Sequence, residues 1–187
     1  MPLDPTQRRN LLALARASIE TGLTNRGFVP CAPERLPPGL MQRGASFVTL
    51  RIGPELRGCC GTIEATRPLA ADVWHSAWAA AFSDPRFPPL SPQEWRGVSL
   101  QISVLSDPVP LLVVGEWDLL QRLRPQVDGL ILEHGGSRAT FLPAVWEQIA
   151  DPATFVRQLK LKAGWAADFW SPRMSVQRYT AESFGEE

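Results

Sequence analysis

Apolar residues recur at helical spacing in four parts of the chain and predict four helices. The clearest lies over 69–82, where apolar side chains at i, i+4 intervals form one broad face. Other helices are predicted over 4–22, 116–123 and 151–164. An Asp-Pro pair begins the first and the last of the four, and a glycine ends each of those two.

Alternation of apolar and polar residues predicts β-strands between these helices. Three segments show it: 47–52, 98–104 and 175–181. A hairpin is predicted over 130–142, because two apolar runs flank a Gly-Gly turn. The segment 175–181 is expected to close the sheet. Prolines are dense over 30–44 and 84–89, which predicts loops because proline removes a backbone donor.

Length and composition predict a single domain over 1–187, with room for two lobes whose boundary the pattern does not give. The chain has 187 residues, 44% of them hydrophobic, enough for one buried core. It has no apolar run near the roughly 20 residues that cross a bilayer and no signal-type amino terminus, so a cytoplasmic protein is expected. Basic and acidic residues balance at 19 each, which argues against nucleic acid or an anionic membrane as a partner.

The densest candidate chemistry lies in the segment 56–64. Arg57, Cys59 and Glu64 surround two glycines, Gly58 and Gly61, and the segment is interpreted as one or two tight turns. Glycine permits positive φ angles, so successive N–H groups are expected to form an anion-binding concavity beside the Cys59 sulfur.

Cys59 has two interpretations. It is a candidate nucleophile, with Glu64 as proton acceptor, because neighbouring N–H groups or a guanidinium favour the thiolate. The alternative is packing, since unpaired cysteine is among the most buried residue types. No histidine lies nearby in sequence to act as a base. The three cysteines have no metal-type spacing and the two histidines are far apart, so no metal and no cofactor are assigned.

Three arginines are expected in turns and are candidate ligand-binding residues: Arg57, Arg86 and Arg138. Together with Asp84, they are predicted to contribute to a cleft for a small anionic group. The structural alternative pairs the arginines with nearby carboxylates: Glu64, Asp84 and Glu133. Asp84 also fits a plain turn residue beside a proline.

The run Leu56-Arg57-Gly58-Cys59-Cys60-Gly61 resembles the Leu-Arg-Gly-Cys-Ile-Gly motif of the Ammecr family, whose bacterial and archaeal members are called AmmeMemoRadiSam system protein A. The resemblance extends from about residue 47 to the carboxyl terminus and includes blocks such as Asp84-Pro85-Arg86-Phe87. Cys60 replaces the usual isoleucine and is interpreted as a small apolar filler. Ala139 stands where an Arg-Gly pair is common in the family.

The resemblance implies an α+β fold with an antiparallel sheet and flanking helices, in which both chain ends build a larger lobe and the middle forms a smaller one. It also implies partners, a Memo-like protein and a radical S-adenosylmethionine enzyme. The first hypothesis is an accessory or enzyme component that binds a small or modified anionic group at the 57–61 loop. The alternatives are a cysteine-dependent enzyme that modifies RNA or a small metabolite through Cys59, and a protein-interaction scaffold without catalysis.

Overall fold

The two ends of the chain fold together, while the middle of the chain folds as a second unit. The computed structural model describes residues 2–25, 27–32 and 36–186. The first unit comprises Met1–Leu105 and Glu182–Glu187, and the second comprises Ser106–Ala181. The predicted α+β class, with a larger lobe from both ends and a smaller middle lobe, is confirmed. That 1–187 counts as one domain stays a prediction.

The sheet of the first unit has strands from both chain ends. Its members are β1 (Arg43–Ile52), β2 (Glu55–Gly61), β3 (Arg67–Pro68), β4 (Val98–Leu105) and β9 (Ala181–Gly185). The order is β2-β1-β4-β9, and β3 pairs with the start of β1. Strand β1 runs antiparallel to both β2 and β4, so β2 is an edge strand. The strand predicted over 98–104 is confirmed, and the one predicted over 47–52 begins earlier, at Arg43.

Three helices accompany this sheet: α1 (Pro5–Asn25), α2 (Leu69–Phe82) and α3 (Pro92–Trp95). Helix α2 has the predicted bounds, and its apolar face packs in a core with Val48 and Leu50 of β1. The predicted end of α1 at Gly22 was wrong. Gly22 is buried inside the helix, where an added Cβ would lie 2.4 Å from the Phe82 ring. The glycine therefore serves the packing of α1 on α2.

The second unit has its own antiparallel sheet and core. Its strands are β5 (Val109–Pro110), β6 (Gly129–His134), β7 (Ser137–Phe141) and β8 (Ser175–Tyr179), in the order β5-β8-β6-β7. Its helices are α4 (Glu116–Arg122) and α5 (Pro152–Lys162). The predicted hairpin is confirmed as β6 and β7. In the core, the Trp146 and Phe155 rings stack with centroids 3.8 Å apart.

The last strands of the chain differ from the prediction. The alternating segment 175–181 was expected to form one strand, but the structure ends β8 at Tyr179 and begins β9 at Ala181. Strand β8 pairs with β5 and β6, whereas β9 pairs with β4 of the other unit's sheet. The alternation continues through this change of sheet, so the sequence pattern alone does not reveal it.

Candidate functional site

The segment that carries the candidate chemistry is a strand, and the prediction of tight turns was wrong. Residues Glu55–Gly61 form β2, which pairs with β1 from Ile52 back to Phe47. Neither Gly58 nor Gly61 has a positive φ angle. The predicted concavity of N–H groups at these two glycines was therefore also wrong.

Gly58 and Gly61 are required by close packing rather than by a turn. A Cβ at Gly58 would lie 2.1 Å from the backbone oxygen of Ala80 on α2. A Cβ at Gly61 would lie 2.2 Å from the backbone oxygen of Ser46. Real Cβ atoms do not approach oxygen so closely, so any side chain at these positions would push the backbones apart. Glycine thus allows α2 and β1 to pack closely against the edge strand.

Arg57 is the extra residue of a β-bulge. Leu50 pairs with Gly58 and Arg51 pairs with Leu56, so no residue of β1 faces Arg57. A bulge changes the direction of the side chain that it carries. The Arg57 side chain is only 9% exposed, and it reaches the segment between α2 and α3.

The guanidinium of Arg57 is held on one edge and lacks a partner at the other. Its Nε donates to Glu94 Oε1 at 2.8 Å, and its NH2 group donates to the Pro88 oxygen at 2.9 Å and to Glu94 Oε2 at 3.3 Å. The NH1 group is buried and has no hydrogen-bond partner within the described ranges 2–25, 27–32 and 36–186. A buried donor without an acceptor costs about 1–3 kcal/mol, so this edge of Arg57 is a candidate ligand contact.

Glu94 is a site residue that the sequence prediction missed. It lies at the third position of α3, and it forms a capping box in which Ser91 Oγ accepts from the Glu94 N–H while the Ser91 N–H donates to Glu94 Oε2. The hydrogen bond from Arg57 and those from Ser91 lower the pKa of Glu94 to about 2. The sequence signal was present, since Ser91 followed three residues later by Glu94 is the capping-box pattern.

Asp84 and Arg86 lie directly beside this edge strand. The Cys59 N–H donates to Asp84 Oδ2 at 2.9 Å. Arg86 donates to the same carboxylate through Nε at 3.0 Å and NH2 at 2.7 Å. The Arg86 hydrogen bonds and then the Cys59 N–H hold the pKa of Asp84 well below its usual range. The pairing of Arg86 with Asp84, foreseen as the structural alternative, is confirmed.

The Cys59 thiol is half-buried and contacts a hydroxyl group across the strand pair. Cys59 pairs with Thr49, whose Oγ1 donates to Sγ at 3.3 Å. Cys60, the next residue, packs against the core that includes α2, and burial raises the pKa of its thiol. Since side chains alternate along a strand, Cys59 lies on the opposite face, away from α2. The interpretation of Cys60 as an apolar filler agrees with its place in the core.

The other two predicted site residues are Glu64, in the segment after β2, and Arg138, in the second unit. Glu64 is exposed in the segment after β2, where its N–H donates to Thr62 Oγ1 at 3.1 Å. Arg138 lies on β7 of the second unit, with Nε 3.8 Å from Glu133. Arg57 and Arg138 are strand residues, so the expectation that all three arginines lie in turns was wrong for these two. The ligand and catalytic roles of Glu64 and Arg138 stay predictions.

The described residues, which exclude 1, 26, 33–35 and 187, contain neither a membrane-spanning helix nor a metal-type cluster. No helix there is long and apolar enough to cross a membrane. No cluster of three or more His, Cys, Asp or Glu side chains there is placed to hold a metal ion.

The protein is of the α+β class and has two units. In the first unit an edge strand with the sequence Arg-Gly-Cys packs closely against a helix. The chain belongs to the AMMECR1 family, whose family model matches residues 12–184.

Similar proteins come from archaea. A protein of Methanothermobacter thermautotrophicus is 37% identical over 100% of this chain and 97% of its own length. One from Thermococcus gammatolerans is 38% identical over 95% of this chain and 89% of its own. The crystal structure of the uncharacterized protein PH0010 from Pyrococcus horikoshii is 32% identical, with a TM-score of 0.85 over 95% of this chain and 90% of that one.

Proposed function

We propose that this protein acts in the cytoplasm and binds a small or modified anionic group at a site formed by Arg57, Cys59, Asp84 and Arg86. The observation that carries the proposal is the buried NH1 group of Arg57, which has no acceptor among the described residues. An oxygen of a carboxylate or phosphate group is the acceptor that such a guanidinium edge takes best.

The charges around the site favour a small ligand of low charge over a highly charged one. Arg57 is neutralised by Glu94, and Arg86 is neutralised by Asp84. The bound group therefore meets hydrogen-bond donors more than net positive charge. The Arg86 side chain is 55% exposed, so it has room to turn toward the ligand while Asp84 remains attached to the Cys59 N–H.

The test uses Cys59 as the reporter, in a chain with Cys31→Ala and Cys60→Ala. Iodoacetamide alkylation of Cys59 is followed by mass spectrometry in inorganic phosphate and in chloride of equal ionic strength. Phosphate is expected to slow alkylation about threefold or more, because a bound anion covers the thiol and repels the thiolate. Arg57→Lys is expected to abolish the protection, since lysine does not present a planar donor fork.

Arg51→Lys is the matched control, because Arg51 lies on the neighbouring strand and its NH1 donates to Pro54 instead. Equal protection in the Arg57 and Arg51 variants would contradict the proposal. So would an alkylation rate that phosphate leaves unchanged in the chain with both arginines intact.

A second candidate function, a cysteine-dependent enzyme acting on RNA or a small metabolite, is favoured by the hydrogen bond from Thr49 Oγ1 to Cys59 Sγ. A hydroxyl donor stabilises a thiolate more than a thiol. Thr49→Val is then expected to slow alkylation of Cys59 at about pH 7 while Thr49→Ser keeps the rate. In this function Glu64 is the proposed proton acceptor, and Glu64→Gln is expected to lower turnover but not alkylation.

The proposed partners are a Memo-like protein and a radical S-adenosylmethionine enzyme. The second unit has strongly exposed apolar side chains in one short segment: Leu112 at 85%, Val114 at 84% and Trp117 at 68%. Exposed apolar residues close together favour a protein contact. Pull-down with purified partners is expected to succeed for the intact chain and to weaken for Trp117→Lys, whereas equal capture of both would place the contact elsewhere.

A further inference from the structure

A pocket of about 460 Å³ lies in the first unit, at the ends of α1 and α2. The side chains that line it are apolar or aromatic and include those of Leu23, Trp78, Phe82, Leu90 and Pro92. None of its lining residues within 2–25, 27–32 and 36–186 carries a charge. The size is within the range of pockets that take small molecules.

The indole of Trp78 leaves a polar atom unsatisfied at this pocket. Its Nε1 is buried and has no hydrogen-bond partner in the described part of the chain. Trp74, one turn earlier on α2, donates from Nε1 to the Val29 oxygen at 2.8 Å, and Trp146 donates to the Asp128 oxygen at 2.7 Å. Buried indole N–H groups normally find such an acceptor, so Trp78 is an exception that a bound ligand would remove.

The indole edge that carries Nε1 packs against α1. A Cβ added at Gly22, which lines the pocket, would lie 2.9 Å from Trp78 Cδ1, the carbon bonded to Nε1. The Phe28 ring packs edge-on against the indole at 5.2 Å between centroids, and the Phe82 ring lies at 6.0 Å. These contacts hold the indole in the wall of the pocket.

We propose that this pocket binds a neutral, flat aromatic molecule with one hydrogen-bond acceptor, and that the acceptor bonds to Trp78 Nε1–H. The described lining residues carry no charge and so disfavour an ionic ligand, because a charge removed from water there has no partner among them. The aromatic side chains favour a planar ring system, which gains offset or edge-on ring contacts. The buried N–H favours an acceptor over a plain hydrocarbon, which leaves that donor unsatisfied.

Quinoline and naphthalene form the test pair, since they share one shape and only quinoline has an acceptor nitrogen. Each is titrated at about pH 8, where quinoline is neutral, into the full chain and into Trp78→Phe. The backbone amide shifts of Gly22 and Leu23 report binding. We expect quinoline to bind the natural chain about 3- to 10-fold more tightly than Trp78→Phe, as one net hydrogen bond allows. Naphthalene is expected to change less than about twofold between the two proteins.

Leu23→Trp provides a second variant, which fills the pocket and leaves the Trp78 donor in place. It is expected to weaken both ligands, with an unchanged far-ultraviolet circular dichroism spectrum as the check on folding. The proposal is overturned if quinoline binds Trp78→Phe as tightly as the natural chain. It is also overturned if quinoline shifts neither amide, or if naphthalene loses as much affinity as quinoline in Trp78→Phe.

Discussion

The carboxylate of Asp84 accepts a hydrogen bond from the backbone N–H of Cys59, with 2.9 Å between the two atoms. Cys59 lies on an edge strand, whose outward N–H groups have no neighbouring strand to bond to. One side chain therefore satisfies a strand-edge donor and, through Arg86, fixes the loop after α2 beside the thiol.

Replacement of Asp84 separates the hydrogen bond from the charge. Asp84→Ala removes both, and it is expected to lower the free energy of unfolding by about 3 kcal/mol. Asp84→Asn keeps an oxygen acceptor for the Cys59 N–H and is expected to cost about half as much. Amide hydrogen exchange at Cys59 checks the assignment, since only Asp84→Ala should speed it strongly. Equal exchange rates in both variants would argue that the amide is protected by other means.

Gly58→Ala is expected to destabilise the first unit by about 3 kcal/mol or more, because its Cβ would lie 2.1 Å from the Ala80 backbone oxygen. Gly97→Ala is the matched control, since a Cβ there meets nothing nearer than the Glu94 oxygen at 3.7 Å. That change is expected to stay within about 0.5 kcal/mol. Urea unfolding followed by tryptophan fluorescence measures both, and similar midpoints would refute the packing explanation.

The ion pair of Arg57 and Glu94 predicts a specific loss of stability in acid. The pKa of Glu94 is lowered from 4.5 to about 2, so its contribution is complete above the unfolded value and disappears as the pH falls from 4.5 toward 2. Glu94→Gln is therefore expected to reduce the stability difference between about pH 7 and about pH 3. Urea unfolding at these two pH values gives that difference, and Glu55→Gln, at an exposed position, controls for the loss of a surface charge. An unchanged difference in Glu94→Gln would contradict the linkage.

In the second unit, Lys160 is 1% exposed and donates to both carboxylate oxygens of Glu116, at 2.9 and 2.7 Å. Removal of one partner leaves a buried charge, so Glu116→Ala is expected to cost about 3 kcal/mol. Lys160→Met keeps the volume and removes the charge, and a cost of about 1 kcal/mol or less is expected. Thermal unfolding of the two variants compares these two costs. A larger loss of stability for Lys160→Met than for Glu116→Ala would contradict the prediction.

The sequence by itself determined the elements whose signal is local. The sequence predicts helix α2 with its observed bounds because apolar residues recur there at i, i+4 spacing. It predicts β4 because apolar and polar residues alternate regularly there. The family motif likewise identified Arg57 and Cys59 as residues of interest from their neighbours alone.

Only the tertiary structure decided how those residues are used. Gly58 suggested a turn, but the need for glycine comes from Ala80, a residue on a helix that packs against the strand. Arg57 donates a hydrogen bond to Glu94, which lies 37 positions later in the chain. A β-bulge, which the composition does not predict, directs the Arg57 side chain toward it. Contacts between distant residues depend on how the elements pack, and packing distances are set by the whole core rather than by any one segment.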